Sequence, residues 1–331
     1  MQRLIIRGPR EAGFEEIPIP ACPPDGLLIK ARVTAISPGT EIRVYRAVPV
    51  DEAGKFLHER VPFVLPTENG YSMVGEVVEA GANVQGFSAG DRVFVPAPHK
   101  QYAAVPASLA VKLPDDIPDE IAVFLSILEV GHIGLRRGVP AIGENVAIVG
   151  QGVIGLACLA YCRAFGLGTA VLDLQEERLA VARRLGAEVA VSPDQPHALE
   201  QVRCAFGGEG ADLALEAASH WNAVRMAMEV TRPEGRVVVV SRHVDQPTFN
   251  PIGHPFLGKR LTLLTSYGHE PEGSRWDRRH SIDLTLRLLS TGRLNIEPLI
   301  TTHARWTELP EIYRRLDAGD RELIGVVLHW E

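Results

Sequence analysis

Residues 145–173, NVAIVGQGVIGLACLAYCRAFGLGTAVLD, carry the reading that decides the fold. The apolar run 146–149 has the character of a buried strand and leads directly into Gly150-Gln151-Gly152-Val153-Ile154-Gly155. Alone, G-x-G-x-x-G is a weak signal, because glycine triplets arise by chance. Here it follows a strand and opens a helix whose Leu156, Ala157, Ala160 and Ala164 can pack closely on a sheet. Gly150 permits the tight turn, Gly152 removes a side chain that would block a pyrophosphate, and Gly155 lets helix and strand approach. The backbone N–H groups of the turn and helix start, with the positive end of the helix dipole, then face the phosphates of a dinucleotide.

The stretch closes on Asp173, about twenty residues past the turn, where a carboxylate can accept hydrogen bonds from both hydroxyls of an adenosine ribose. A 2′-phosphate would meet its negative charge, so the expected cofactor is NAD rather than NADP. Arg178 stands five positions later, either to serve a phosphate or as an ion-paired helix residue.

Working outward, the chain downstream alternates strand-like runs (VAVS, ADLALEAA, GRVVVVS, LTLLTS) with helical ones (EERLAVARRLGA, HALEQVRCAFG, WNAVRMAMEV). That alternation predicts about six strands of a doubly wound parallel sheet with helices on both faces, an α/β Rossmann architecture. Upstream, to about residue 118, short extended runs at 27–36, 71–78, 92–95 and 101–105 are broken by Gly and Pro, the pattern of an irregular β-rich domain. After 267 come a polar Gly- and Arg-rich segment, two helical stretches and a final strand, LIGVVLHW, which periodicity alone assigns to neither domain.

Bulk properties narrow the function classes. At 331 residues, two domains are the natural expectation, and a net charge of −7 without any Lys/Arg block argues against nucleic acid or an anionic membrane as partner. The N-terminal residues lack the apolar core of a secretory signal, and no apolar run approaches the roughly 18 residues of a spanning helix, so a soluble cytoplasmic protein acting on a small molecule is expected. The four cysteines show no C-x-x-C pairing and read as core thiols rather than metal ligands or disulfides.

With the β-rich half first and the glycine turn near residue 150, the chain resembles the medium-chain dehydrogenase/reductase superfamily. Pro38-Gly39-Thr40-Glu41 is similar to its C-G-T-D turn, residues 70–77 (GYSMVGEV) to its G-H-E-x-x-G-x-V, and Gly90-Asp91-Arg92-Val93 to its G-D-R-V turn. The resemblance implies a GroES-like catalytic domain built from 1–126 and 268–331, a Rossmann domain at 127–267, and a homodimer or homotetramer. The apolar run LTLLTS would be the sheet edge needing cover. Among branches it looks closest to sorbitol- and threonine-dehydrogenase-like proteins and to the bacteriochlorophyllide dehydrogenases.

The resemblance also exposes what is missing. Most alcohol dehydrogenases of the family hold a catalytic zinc that polarises the substrate oxygen. Here the aligned ligand positions carry Pro38 (with Ser37 beside it), Tyr71, Ser72 and, near the last, Leu125, and the structural-zinc cysteines are absent. The expectation is therefore a protein without metal.

Without zinc, a hydrogen-bond donor must manage the charge on oxygen. Tyr71 either donates its phenol to a carbonyl or fills the volume zinc left. Thr40 matches the family's proton-relay hydroxyl or is a turn threonine bonding its own backbone. Glu129 and His132, three apart, share a helix face, where the carboxylate would orient and charge the imidazole, although a lone His on an apolar helix is more often a core residue. His99, Lys100, Tyr267, His269 and Trp276 either line the substrate side or are loop surface.

The leading expectation is a zinc-independent NAD(H) oxidoreductase interconverting a secondary alcohol and a ketone on a polyol-, sugar- or natural-product-like substrate. Two others stay open: an enone or quinone (C=C) reductase, and a nucleotide-binding protein that lost catalysis.

Overall fold

The computed structural model describes residues 1–47, 64–243 and 245–331. The chain begins with strands β1 (Gln2–Gly8), β2 (Glu11–Glu16) and β3 (Gly26–Ala35), helix α1 (Pro38–Arg46), strands β4 (Met73–Ala80), β5 (Arg92–Val95), β6 (Tyr102–Pro106) and β7 (Val111–Lys112), and helices α2 (Asp119–Ala122) and α3 (Leu125–Arg137). Strands and helices then alternate: β8 (Asn145–Val149), α4 (Val153–Ala164), β9 (Gly168–Leu172), α5 (Glu176–Arg184), β10 (Val189–Val191), α6 (Ala198–Ala205), β11 (Ala211–Glu216), α7 (Trp221–Val230), β12 (Thr231–Val239), α8 (Phe256–Lys259), β13 (Thr262–Thr265) and α9 (Arg278–Ser290). The tail adds β14 (Ile300–Arg305), α10 (Leu309–Asp317) and β15 (Gly325–His329). Among the described residues, no helix is long and apolar enough to cross a membrane.

The chain divides into two compact units, Met1–Ser126 with Ile300–Glu331, and Ile127–Leu299. In the second, six parallel strands lie in the order β10-β9-β8-β11-β12-β13. Parallel strands covered on both faces must be apolar throughout rather than alternating. Val146, Ala147 and Ile148 of β8 and Leu213, Ala214 and Leu215 of β11 are accordingly all buried. The order reverses between β8 and β11, which opens a crevice at the carboxyl ends of these strands where such sheets bind ligands.

The segment 268–299, expected with the tail, belongs instead to this second unit. One buried contact within this unit is that of the Tyr161 hydroxyl of α4, 2.6 Å from Thr285 Oγ1 of α9. A buried phenol needs such a partner, and α9 supplies it.

In the first unit, the sheet runs β14-β15-β3-β4-β5-β7, with β6 also on β3, and β1 and β2 form a separate hairpin. The tail is part of this sheet: β15 pairs antiparallel with β3, Val327 opposite Ala35 and Leu328 opposite Thr34. Glu41, at the start of α1, is wholly buried and anchors a polar chain through the unit. Its Oε1 accepts the Ser37 N–H at 2.7 Å, and its Oε2 accepts the Tyr313 hydroxyl and lies 2.9 Å from His99 Nε2. His99 Nδ1 then meets Thr34 Oγ1 at 2.8 Å, and Trp330 Nε1 donates to that same oxygen at 2.9 Å. His99 is thus a core residue joining β3, α1 and the tail, neither loop surface nor a substrate-lining group. Removing a buried charged partner leaves its neighbours unsatisfied, so Glu41→Ala is expected to destabilise the chain by about 3–5 kcal/mol in urea unfolding. A loss below about 1 kcal/mol would contradict the network's role.

Candidate active site

The glycine turn is shaped by close backbone approach. Gly150 has φ +93°. A Cβ on Gly155 would sit 1.8 Å from the Gly150 carbonyl oxygen, so helix α4 meets the turn only through glycine. Gly152 differs: its φ is an ordinary −71°, and an added Cβ would meet no protein atom within 4 Å. Neither packing nor conformation requires glycine there. What it keeps free is the space before the first turn of α4, whose N-cap offers no side-chain hydrogen bond to the open N–H groups.

Asp173 follows β9 and is tied to this turn. Its Oδ2 accepts the Gln151 N–H at 2.6 Å, its Oδ1 accepts the Gln175 N–H at 2.9 Å, and Arg178 Nη1 stands 3.6 Å from Oδ2. An ionised carboxylate has roughly four acceptor positions, so each oxygen keeps capacity for a ribose hydroxyl. The residues present therefore fit a dinucleotide. The Gln151 side chain points away from that role: it is buried and donates to the Ile148 and Gly150 carbonyls at 3.1 and 3.0 Å, bracing the turn.

The positions aligned with zinc ligands hold a different chemistry. The Tyr71 hydroxyl donates to Ser37 Oγ at 2.6 Å, Ser126 Oγ donates to the Tyr71 carbonyl at 3.2 Å, and Ser72 Oγ donates to the Val123 carbonyl. Proline and leucine offer no side-chain donor atom, and these hydroxyls are committed to one another or to backbone. This set does not fit zinc, and among the described residues no group of three or more His, Cys, Asp or Glu side chains is gathered to hold a metal. The segment expected as a turn at 38–41 is the first turn of α1, and Thr40, partly buried, lies on it with its N–H on the Ser37 carbonyl at 3.1 Å.

Glu129 and His132 are brought onto one face of α3 but not to each other. Glu129 Oε1 lies 3.3 Å from Arg278 Nε and 3.8 Å from His269 Nε2. His132 packs between the rings of Tyr161 and Trp276, at 5.5 and 5.8 Å. Burial pushes the Glu129 carboxyl up to about 7 against the opposing pull of Arg278. Burial also pushes the His132 imidazole down to about 4, with Arg136 and His269 adding to it. The expected charged imidazole is thus corrected: desolvation outweighs any help from Glu129, and His132 is neutral. His132 Nδ1 is buried without a hydrogen-bond partner among the described residues, while Glu129 Oε1, also buried, faces Arg278 without a well-aligned hydrogen bond. Trp276 and His269 join this cluster, with the Arg136 and Arg275 guanidinium groups 5.1 and 4.7 Å from the Trp276 ring. Tyr267 stays at the surface under Arg242, and Lys100 pairs with Glu68.

Of the thiols, Cys158 and Cys162 are buried in α4, where burial raises the Cys158 thiol to about 12, whereas Cys204 is exposed.

Sequence reasoning missed one cluster at the carboxyl edge of the sheet. Glu216 ends β11, wholly buried, and its Oε1 accepts the N–H groups of Ala218 and Ser219 at 2.8 and 2.9 Å. Its Oε2 accepts the Ser241 hydroxyl and faces His243 Nε2 at 2.8 Å. Ser219 is held at φ +58°, a left-handed conformation costing a side-chain-bearing residue roughly 1–2 kcal/mol. The available signal was a carboxylate terminating an otherwise apolar parallel strand.

With this geometry established, comparison places the chain. Residues 23–115 match the alcohol dehydrogenase GroES-like domain and 153–283 the zinc-binding dehydrogenase domain. An L-threonine 3-dehydrogenase of Aeromonas salmonicida is 29% identical over 96% of this chain and 95% of its own, and a sorbitol dehydrogenase of Bacillus subtilis is 27% identical over 78% and 79%. The crystal structure of galactitol-1-phosphate dehydrogenase from Escherichia coli, 20% identical, superposes with a TM-score of 0.84 over 100% of both chains. The chain belongs to the medium-chain dehydrogenase/reductase superfamily, with a Rossmann sheet and a GroES-like β-rich unit. It is a nicotinamide-dependent oxidoreductase acting on CH–OH and C=O groups of small molecules, of the alcohol and polyol dehydrogenase kind.

The Glu129 shift has a defined pH signature. A carboxyl raised from 4.5 to about 7 on folding contributes stability that is complete below pH 4.5 and is lost as pH rises through 7. Glu129→Gln lacks this titration. The stability of the wild-type chain relative to this variant is therefore expected to fall by about 3 kcal/mol across that window in urea titrations at stepped pH. A difference independent of pH would refute the buried, protonated carboxyl.

Proposed function

We propose that this chain is an NAD(H)-dependent, zinc-independent oxidoreductase interconverting a secondary alcohol and a ketone on a polyol-, sugar- or natural-product-like substrate. The observation that carries it is Asp173, a carboxylate with free acceptor capacity fixed beside a glycine turn that protein packing alone does not explain. Such a carboxylate binds the two ribose hydroxyls of NAD and repels a 2′-phosphate, and Arg178 at 3.6 Å offsets only part of that charge.

The bound nicotinamide supplies or accepts the hydride, which leaves the protein one proton and one developing oxygen charge to manage. Tyr71 is assigned the charge: its phenol donates to the substrate oxygen in place of Ser37, whose hydroxyl at 2.6 Å otherwise receives that proton. Thr40 is assigned the proton relay. Glu129 is assigned proton storage, because a carboxyl at about 7 exchanges protons near neutral pH, while neutral His132 contributes an acceptor nitrogen.

We infer a homo-oligomer from β13, which among the described residues pairs with β12 alone and leaves Leu263 37% exposed at the sheet edge. Edge pairing between two copies would satisfy its free backbone groups.

Fluorescence titration is expected to give tighter binding of NADH than NADPH, with Asp173→Asn narrowing the difference by about tenfold. Preferential NADPH binding would overturn the cofactor assignment. With L-threonine, sorbitol and galactitol 1-phosphate among a panel of alcohols and ketones, Tyr71→Phe is expected to lower kcat roughly 100-fold. Wild-type turnover by this variant would remove Tyr71 from the mechanism.

A further inference from the structure

The order β10-β9-β8-β11-β12-β13 assigns the two halves of a dinucleotide to the two halves of the sheet. Asp173, after β9, marks the adenosine half, so the nicotinamide half falls over the carboxyl ends of β11 and β12. The cluster of Glu216, Ser241 and His243 lies there: Glu216 stands opposite Val149 of β8 and Val239 of β12, and Ser241 and His243 follow β12. Gly150 is adjacent, since a Cβ on it would lie 2.8 Å from Ala218, whose N–H the Glu216 carboxylate holds.

The hydrogen-bonding roles of the two His243 ring nitrogens follow from their neighbours. Glu216 Oε2 can only accept, and it already receives the Ser241 hydroxyl. His243 Nε2, 2.8 Å from that oxygen, therefore donates to it, and in the neutral form of the ring this leaves the Nδ1 lone pair as an acceptor. Among the described residues Nδ1 has no hydrogen-bond partner, nor is it sealed among the buried orphan atoms, and the side chain retains 11% exposure. The Trp221 ring, 5.0 Å away, holds the imidazole from another side. A carboxylate, a hydroxyl, two backbone N–H groups and a left-handed serine thus fix one acceptor atom at the nicotinamide half of the crevice.

We propose that His243, oriented by Glu216, is a cofactor-positioning residue whose Nδ1 accepts a hydrogen bond from the nicotinamide half of the dinucleotide. The donor is a hydroxyl of the nicotinamide-side ribose or the carboxamide amine. This rests on the dinucleotide reading above and adds to it a contact on the reactive half.

The test is binding of NADH, ADP-ribose and ADP to the full chain, read by fluorescence and calorimetry. His243→Gln keeps a polar atom where Nε2 meets Glu216 and loses the δ acceptor; His243→Asn does the reverse. His243→Gln is expected to weaken NADH roughly three- to tenfold with ADP unchanged, and His243→Asn to weaken it less. If ADP-ribose weakens in parallel, the ribose hydroxyl is the donor; if it does not, the carboxamide is. Unchanged NADH affinity in His243→Gln, equal loss of ADP, or a greater loss in His243→Asn would each make His243 a loop clip and overturn the proposal. A wild-type chain that binds none of the three ligands would instead sink the dinucleotide reading itself.

Discussion

The Asp173 carboxylate joins two things that sequence separates by twenty-four positions: the turn after β8, through the Gln151 N–H, and the start of the next helical stretch, through the Gln175 N–H. Those hydrogen bonds fix the glycine turn and the start of α5 relative to one another with a single side chain, the two places that the proposed dinucleotide site uses for phosphate and ribose. Charge-assisted bonds of this kind are short and directional. The rest of the second unit supports that geometry: six parallel strands hold the turn at the reversal of strand order, and the missing Cβ of Gly155 lets α4 come down on it.

The β-rich unit is organised by a different polar set. Where relatives of this superfamily place metal ligands, this chain has hydroxyls that bond each other and the backbone. Three residues past Pro38, Glu41 is drawn inward to His99 and Tyr313 rather than outward. Buried groups of this kind persist only when each is satisfied, and here strands, α1 and the tail supply the partners together. At the positions that the resemblance aligns with metal ligands, Tyr71 and Ser37 are the polar pair.

Much of this was legible from residues. The parallel sheet was readable because β8, β9, β11 and the end of β12 carry apolar stretches (VAIV, AVL, LAL and VVV) separated by helical periods, and the glycine turn because its context on a strand and a helix was explicit. The hairpin of β1 and β2 and the edge strand β14 were not, since EAGFEE and ITTHAR have few buried positions to mark a strand. The helical start at Pro38 was hidden by its likeness to a turn, though proline is favoured in a first turn. Contacts distant in sequence were illegible in principle: Tyr161 of α4 meets Thr285 of α9, and Arg278 with His269, not His132, sets the surroundings of Glu129. The spacing of Glu129 and His132 predicted a shared face correctly, but desolvation, which spacing does not report, decided their charges.

The central claim is nicotinamide-dependent alcohol and ketone chemistry without zinc. Its most direct test is steady-state turnover, on the best alcohol of the panel with NAD, after exhaustive chelation and metal analysis of the same sample. The account predicts full activity in zinc-free protein and no gain on adding zinc. Loss of activity on stripping, restored by one equivalent of zinc, would contradict it.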